Sequence, residues 1–196
     1  MSILVAVKRN NAVYMATDTR EIHQQHKRHN LSESSFKIQK EDNGMLVGIT
    51  GDRIARQTLF ANSDIFTLDR YGNLTKKHIV KDIIPRIIGL LKRSNLLVNS
   101  DDEQLRMDCN IILAHKGVMF NINKMFWIIR CEDFQVIGKA YASAEVVLFS
   151  TQDSEDVEER MIKALNASSK YSTLVGAPYV LIDTKNLEYK VVKEDC

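Results

Sequence analysis

Cysteine and proline are scarce in this chain, with three cysteines (Cys109, Cys131 and Cys196) and two prolines among 196 residues. An odd number of widely spaced thiols builds neither a disulfide framework nor a zinc site, and they read as reduced thiols of a cytoplasmic protein. Long apolar runs are missing: nothing approaches the ~18 residues of a transmembrane helix. Nothing at the start of the sequence resembles a signal peptide, since Lys8 and Arg9 follow a very short apolar run and no small-residue cleavage site appears. Charge of one sign is missing too. With 27 basic and 25 acidic residues the net charge is +2, without the Lys/Arg excess of a dedicated nucleic-acid binder. Repeats, linkers and low-complexity segments are absent. The expectation is one domain over 1–196, with no cofactor, no nucleic acid and no membrane partner.

What the chain does have is a set of doubly apolar strands. The runs 3–7 and 12–17 are near-continuously apolar where a half-exposed strand would alternate, so both faces are covered. Asn10-Asn11 between them suits a tight hairpin. Residues 19–34 are polar and read as a long loop, and SFKIQKEDNGMLVGIT as strand, Asn-Gly turn, strand. GDRIARQTLFANSD reads as a helix with Ile54, Ala55, Leu59 and Phe60 at helical spacing and Asp52 in the first turn. HIVKDIIPRIIGLLKRS is a second helix, with Ile79, Ile83, Ile87 and Leu91 on one stripe and a kink at Pro85. Residues 109–138 give three or four strands, 140–150 and 154–169 two helices, and 178–184 and 187–192 two closing strands. Val157, Met161, Ala164 and Leu165 face inward. Doubly covered strands with clustered helix pairs predict an α+β, four-layer αββα sandwich.

The start of the chain carries the chemistry. The apolar strand begins directly after Ser2, so the fold places the chain end. Methionine is readily trimmed before a residue as small as serine. Ser2 would then offer its hydroxyl as nucleophile and its own α-amine as base, with a reference pKa of ~7.7–8.0. That chemistry needs a cation near the amine, a carboxylate to orient the cation and an oxyanion donor. Lys37, flanked by Phe36 and Ile38 in a short strand, Asp18 at the end of the second strand, and Gly51 at a strand-to-helix junction supply these types.

ILVAVKRNNAVYMATDTR resembles the opening of proteasome β-type subunits and of the HslV-type and Anbu peptidases, the N-terminal-nucleophile hydrolases. The resemblance implies Ser2 at the nucleophilic threonine, Asp18 at the catalytic aspartate and Arg20 at the arginine that follows it. With one three-residue insertion, FKI falls on the segment of the catalytic lysine, at Lys37. In GMLVGITGDRIARQTLF, Gly51 then falls on the oxyanion glycine and Ile49 on the floor of the substrate pocket. Thr19, Arg20 and Ile22 join Ile49 as the implied substrate contacts. VIGKAYASAEVVL and STLVGAPYVLID echo later elements, the Val-Gly-x-Pro being most like Anbu. The implied activity is peptide-bond hydrolysis by acyl transfer, in a cytoplasmic, ring-forming homo-oligomer acting on peptides or unfolded proteins, with an ATPase unfoldase as a further implied partner.

The chain also departs from the pattern. Its nucleophile is serine; Lys139 stands where the family carries a supporting serine; and no aspartate lies near Ser172 and Thr173. An inactive ring or scaffold subunit and a small-molecule amidase therefore stand beside the peptidase reading. His23, His26 and His29 are spaced like metal ligands but lack carboxylate or thiolate company, and read as a solvated loop. GITGD lacks the Gly-Lys-Ser/Thr ending of a nucleotide cradle. The apolar FWIIR around Trp127 reads as core.

Overall fold

In the computed structural model, which describes residues 2–22, 28–30, 36–99 and 104–193, the chain opens on a hairpin. β1 (Ile3–Arg9) and β2 (Ala12–Asp18) are joined by Asn10 and Asn11 at φ 48° and 58°, the left-handed pair that asparagine tolerates and a twisted hairpin needs. The expected polar loop is partly a second hairpin: β3 (Arg20–Ile22) pairs antiparallel with β4 (Arg28–Asn30). It hides from periodicity because a ribbon of three-residue strands whose one apolar residue is Ile22 has no repeating apolar face to announce it. His23 and His26 lie outside the described residues.

β5 (Ile38–Lys40) and β6 (Leu46–Gly51) follow, and Lys37 sits just ahead of β5 rather than within it. α1 (Arg53–Ala61) is capped by Asp52, whose side chain accepts the Ala55 N–H, so this aspartate is the cap and not a first-turn residue. Ala55 and Leu59 are buried, whereas Ile54 is exposed.

The second helix is continuous through α2 (Lys76–His78), a wider π turn (Ile79–Ile83) and α3 (Ile84–Arg93). The Ile84 N–H reaches back five residues to the Ile79 carbonyl. Pro85 thus enters where the helix has already widened, which relieves its clash with the preceding turn. Ile79, Ile83, Ile87 and Leu91 are all fully buried.

A small hairpin of β7 (Leu97–Asn99) and β8 (Leu105–Met107) precedes four strands, β9 (Cys109–His115), β10 (Val118–Ile122), β11 (Ile128–Cys131) and β12 (Phe134–Gly138). Then come α4 (Tyr141–Ser150), α5 (Val157–Tyr171), β13 (Tyr179–Asp183) and β14 (Lys190–Val192). The expected core position of Trp127 is overturned: it is 67% exposed and Ile129 48% exposed. β11 is the edge of its sheet, and periodicity does not separate an edge strand from a covered one.

Two five-stranded sheets, ordered β12-β1-β2-β13-β14 and β11-β10-β9-β6-β5, stack face to face. Alternation along β1 shows the layering. Ile3, Val5 and Val7 pack with Leu148, Met161, Ala164 and Leu165 of α4 and α5. Leu4 and Ala6 point the other way, onto Leu46, Ile112 and Ala114 of the second sheet. That sheet turns Val47, Ile49 and Ile111 toward Leu59, Ile83 and Ile87 of the other helix pair. The result is the four-layer αββα sandwich, and its strand ends set the site.

Candidate active site

The start of β1, the end of β2, the end of β6 and the end of β12 meet at one end of the two sheets. Ser2 is 2% exposed. Its carbonyl accepts the Lys139 N–H at 2.8 Å, extending the β1–β12 ladder by one bond beyond the Ile3–Gly138 pair. Gly138 has φ 110°, and a Cβ there would stand 2.1 Å from the Ser2 carbonyl oxygen. Only glycine permits that approach. On the other side the Thr17 hydroxyl donates to the Ile3 carbonyl at 2.6 Å, and the Ile3 N–H donates to Asp18 Oδ1 at 3.0 Å. Ser2 is therefore held by both of its neighbouring strands.

Asp18 Oδ1 also accepts from Lys37 Nζ at 2.7 Å, with neither side chain exposed. Lys37 Nζ donates further to the Arg20 carbonyl at 3.0 Å, and the Lys37 carbonyl accepts the Ile49 N–H at 2.9 Å. Burial pushes the Asp18 carboxyl above its ordinary range, against the pull of the Lys37 ammonium and the Ile3 N–H. A fully buried ion pair is a poor source of stability, because desolvation offsets most of its attraction. Among the described residues Asp18 Oδ2, Ser2 Oγ and Thr50 Oγ1 are buried without a hydrogen-bond partner. Such orphaned atoms call for an explanation, and a binding or catalytic role is one.

Ser2, Thr50, Gly51 and Gly138 line a cleft of about 310 Å³, together with Asn110, Lys124, Lys139 and Tyr141. Gly51 ends β6 at φ 121°, and a Cβ on it would lie 2.3 Å from the Asp108 carbonyl oxygen. The nucleophile and the oxyanion glycine expected from the sequence thus share one cleft, and the carboxylate and the cation are linked to it through Ile3.

The other expected residues fall around this core. The Thr19 N–H and hydroxyl both donate to the Pro178 carbonyl, at 3.0 and 2.9 Å. Arg20 Nη1 donates to the Val175 carbonyl at 3.0 Å, and its guanidinium lies against Gly176. Ile49 is fully buried among the side chains under α1 and α3 and does not line the cleft. Ile22 ends β3. Thr17, Thr50, Gly138 and Ser168 escaped the sequence reading. The Ser168 hydroxyl, buried on α5, donates to the Ala140 carbonyl at 3.0 Å, beside Lys139. A glycine inside a strand and hydroxyls inside apolar runs were the available signals. Among the described residues no cluster of three or more His, Cys, Asp or Glu is placed to hold a metal, and no helix is long and apolar enough to cross a membrane.

No family model matches the chain, and no curated protein does. Solved structures do. BPH of Thiobacillus denitrificans superposes with a TM-score of 0.74 at 15% identity, covering 98% of this chain and 100% of its own. The same protein is known in complex with epoxomicin, with a TM-score of 0.71 at 14% identity over 92% of this chain and 97% of that one. The Anbu complex from Pseudomonas aeruginosa, described as a helical assembly, gives 0.72 at 15% identity over 99% and 88%. The eukaryotic HslV from Trypanosoma brucei gives 0.64 at 13% identity over 92% and 98%. At such identities the likeness establishes the fold, and this chain has the αββα sandwich of the proteasome-like structures HslV, Anbu and BPH.

Proposed function

We propose that this chain is an N-terminal-nucleophile peptidase that hydrolyses peptide bonds through Ser2 once the residue before it has been removed. The observation that carries the reading is the joint placement of Ser2 Oγ, buried and unpartnered in a cleft with Gly51, and of the buried Lys37–Asp18 pair tied to the neighbouring Ile3 N–H. Ser2 Oγ attacks the scissile carbonyl carbon and its proton passes to the Ser2 α-amine. The Lys37 ammonium disfavours a second positive charge nearby and so keeps that amine neutral and basic near pH 7. Asp18 orients Lys37. The Gly51 N–H takes the developing oxyanion. The tetrahedral adduct collapses as the amine returns its proton to the leaving nitrogen, and water then hydrolyses the acyl ester. The proposed substrates are peptides or unfolded protein segments. The Anbu helical assembly supports a homo-oligomeric state for this chain as well.

The test is the intact mass of untagged protein, before and after epoxomicin, the ligand seen on the T. denitrificans relative. The expected result is a chain beginning at Ser2 that gains one adduct, while Ser2→Ala keeps its fold, gains none, and loses at least ~10³-fold in peptide hydrolysis. Equal hydrolysis by Ser2→Ala would sink the reading.

A further inference from the structure

We propose that this cleft selects peptides carrying a carboxylate close to the scissile bond; the inference rests on the peptidase reading and names its substrate class. Two lysines, Lys124 and Lys139, line the cleft, and no Asp or Glu does among the described residues. Neither ammonium has a carboxylate partner among the described residues, whereas Lys8, Lys37, Lys163 and Lys190 each hold one. Of the acidic residues close to the cleft, Asp18 is paired with Lys37, and Asp52 and Asp108 flank Gly51 and Cys109 without lining it. Asp52 Oδ1 is engaged by the Ala55 N–H at the start of α1.

The placement of Lys139 is fixed by the fold. Its N–H is bonded to the Ser2 carbonyl, so its side chain starts one residue from the glycine that touches the nucleophile's backbone. The unpartnered Thr50 hydroxyl, fully buried in the same cleft, adds a neutral hydrogen-bonding group. A cleft with two uncompensated cations and no anion attracts a carboxylate and disfavours Lys or Arg at the same place. The carboxylate comes either from an Asp or Glu side chain or from the C-terminus of a short peptide.

The experiment compares fluorogenic peptides that differ only in Glu, Gln or Lys beside the scissile bond, each with a free or an amidated C-terminus. Initial rates are measured on the processed protein. Binding of the same peptides, labelled but not cleaved, is measured on Ser2→Ala. Two exposed charge pairs together are worth about tenfold, so the Glu peptide is expected to exceed its Gln twin by about that factor, with Lys lower still. In Lys124→Glu/Lys139→Glu the Glu:Gln ratio inverts, and high salt brings the native ratio toward one. A preference that follows the free C-terminus instead assigns the carboxylate to short peptide ends. Cleavage without any carboxylate preference, or a ratio unmoved in the double variant, overturns the inference and leaves the peptidase reading intact. A tenfold preference in binding without cleavage by the processed protein does the reverse. Absence of both binding and cleavage overturns this inference as well.

Discussion

On the side of the cleft built from residues 2–51, the charged groups Asp18 and Lys37 are buried and bound to each other, Asp18 holding the Ile3 N–H beside Ser2 and Lys37 the Arg20 carbonyl. On the side built from residues 110–141, the charged groups Lys124 and Lys139 are exposed and have no counter-ion among the described residues. The first wall is pre-organised: its charges are buried and held by each other and by backbone groups, and that rigidity is purchased with desolvation. The second is hydrated and replaceable, and its charges act on whatever enters. In the proposed mechanism the first wall serves the reacting atoms and the second chooses what reacts.

The strongest way to break this comparison is to remove one member of each wall. Lys37→Met leaves the Asp18 carboxylate buried and unpaired, at an expected cost of about 3–5 kcal/mol in urea unfolding. The double variant Asp18→Asn/Lys37→Met should regain most of that stability without regaining activity, which separates the electrostatic penalty from packing. Lys139→Met, an exposed side chain, should stay within about 0.5 kcal/mol. Similar losses for Lys37→Met and Lys139→Met would erase the distinction between the walls.

Next in size is the seam where the walls meet. Gly138→Ala puts a Cβ into the Ser2 carbonyl at a backbone angle that L-residues avoid. The strain should lower stability by about 2–3 kcal/mol and displace Ser2, so that activity falls more steeply than stability. Thermal unfolding beside a peptide-cleavage assay reads both. Lys139→Ala, one residue away, should change neither the Tm nor the position of Ser2.

The same two walls explain what could be read from sequence. β1 and β2 declared their double burial because Ile3 to Val7 are apolar without alternation, and the Asn10-Asn11 turn carries its own signature. Lys37 stood out as a lysine between Phe36 and Ile38, although its place just ahead of β5 did not. The resemblance was drawn as far as Gly51 on short-range spacing, while overall identity to the similar solved structures is only 12–15%. The second wall was hardly legible. Gly138 is one glycine in a strand until Ser2 is seen against it, and Ser168 finds the Ala140 carbonyl 28 residues away. Long-range pairing leaves no local period. Trp127 misled for a related reason: it leads into β11, an apolar edge strand, which is written like an apolar core strand.

The far end of β5 offers a smaller, pH-dependent contrast with Lys37. Glu41 follows that strand, and its Oε1 is buried without a partner among the described residues. Burial pushes its pKa up to about 7, with Ser63 pulling it down and Asp42 pushing it up. A folded-state value above the unfolded one means that the native chain binds the proton more tightly. This contribution to stability is complete below about pH 4.5 and is lost as pH rises through about 7. Glu41→Gln should therefore match the native protein at pH 5 and exceed it at pH 8 by about 1 kcal/mol, a figure reduced for the group's partial solvent contact. Urea titrations at the two pH values check it, and equal differences at both would show that Glu41 stays ionised throughout.

The smallest effect belongs to the outer helix, where the same charge types as in the Lys37–Asp18 pair meet in water. Lys163 and Glu159 lie one turn apart on α5 at 2.7 Å, with both side chains more than half exposed. The distance equals that of Lys37 to Asp18, so geometry alone would rate the two pairs alike. Solvent separates them. In water the attraction is screened and the unpaired partner is simply hydrated, so Glu159→Gln should lower stability by only about 0.3–0.5 kcal/mol and by nothing measurable in 1 M salt. Breaking the buried pair should remain costly in that salt, because ions do not reach it. A salt-insensitive loss at Glu159, or a salt-sensitive one at Lys37, would mean that burial is not what distinguishes the Asp18–Lys37 wall from the rest of the surface.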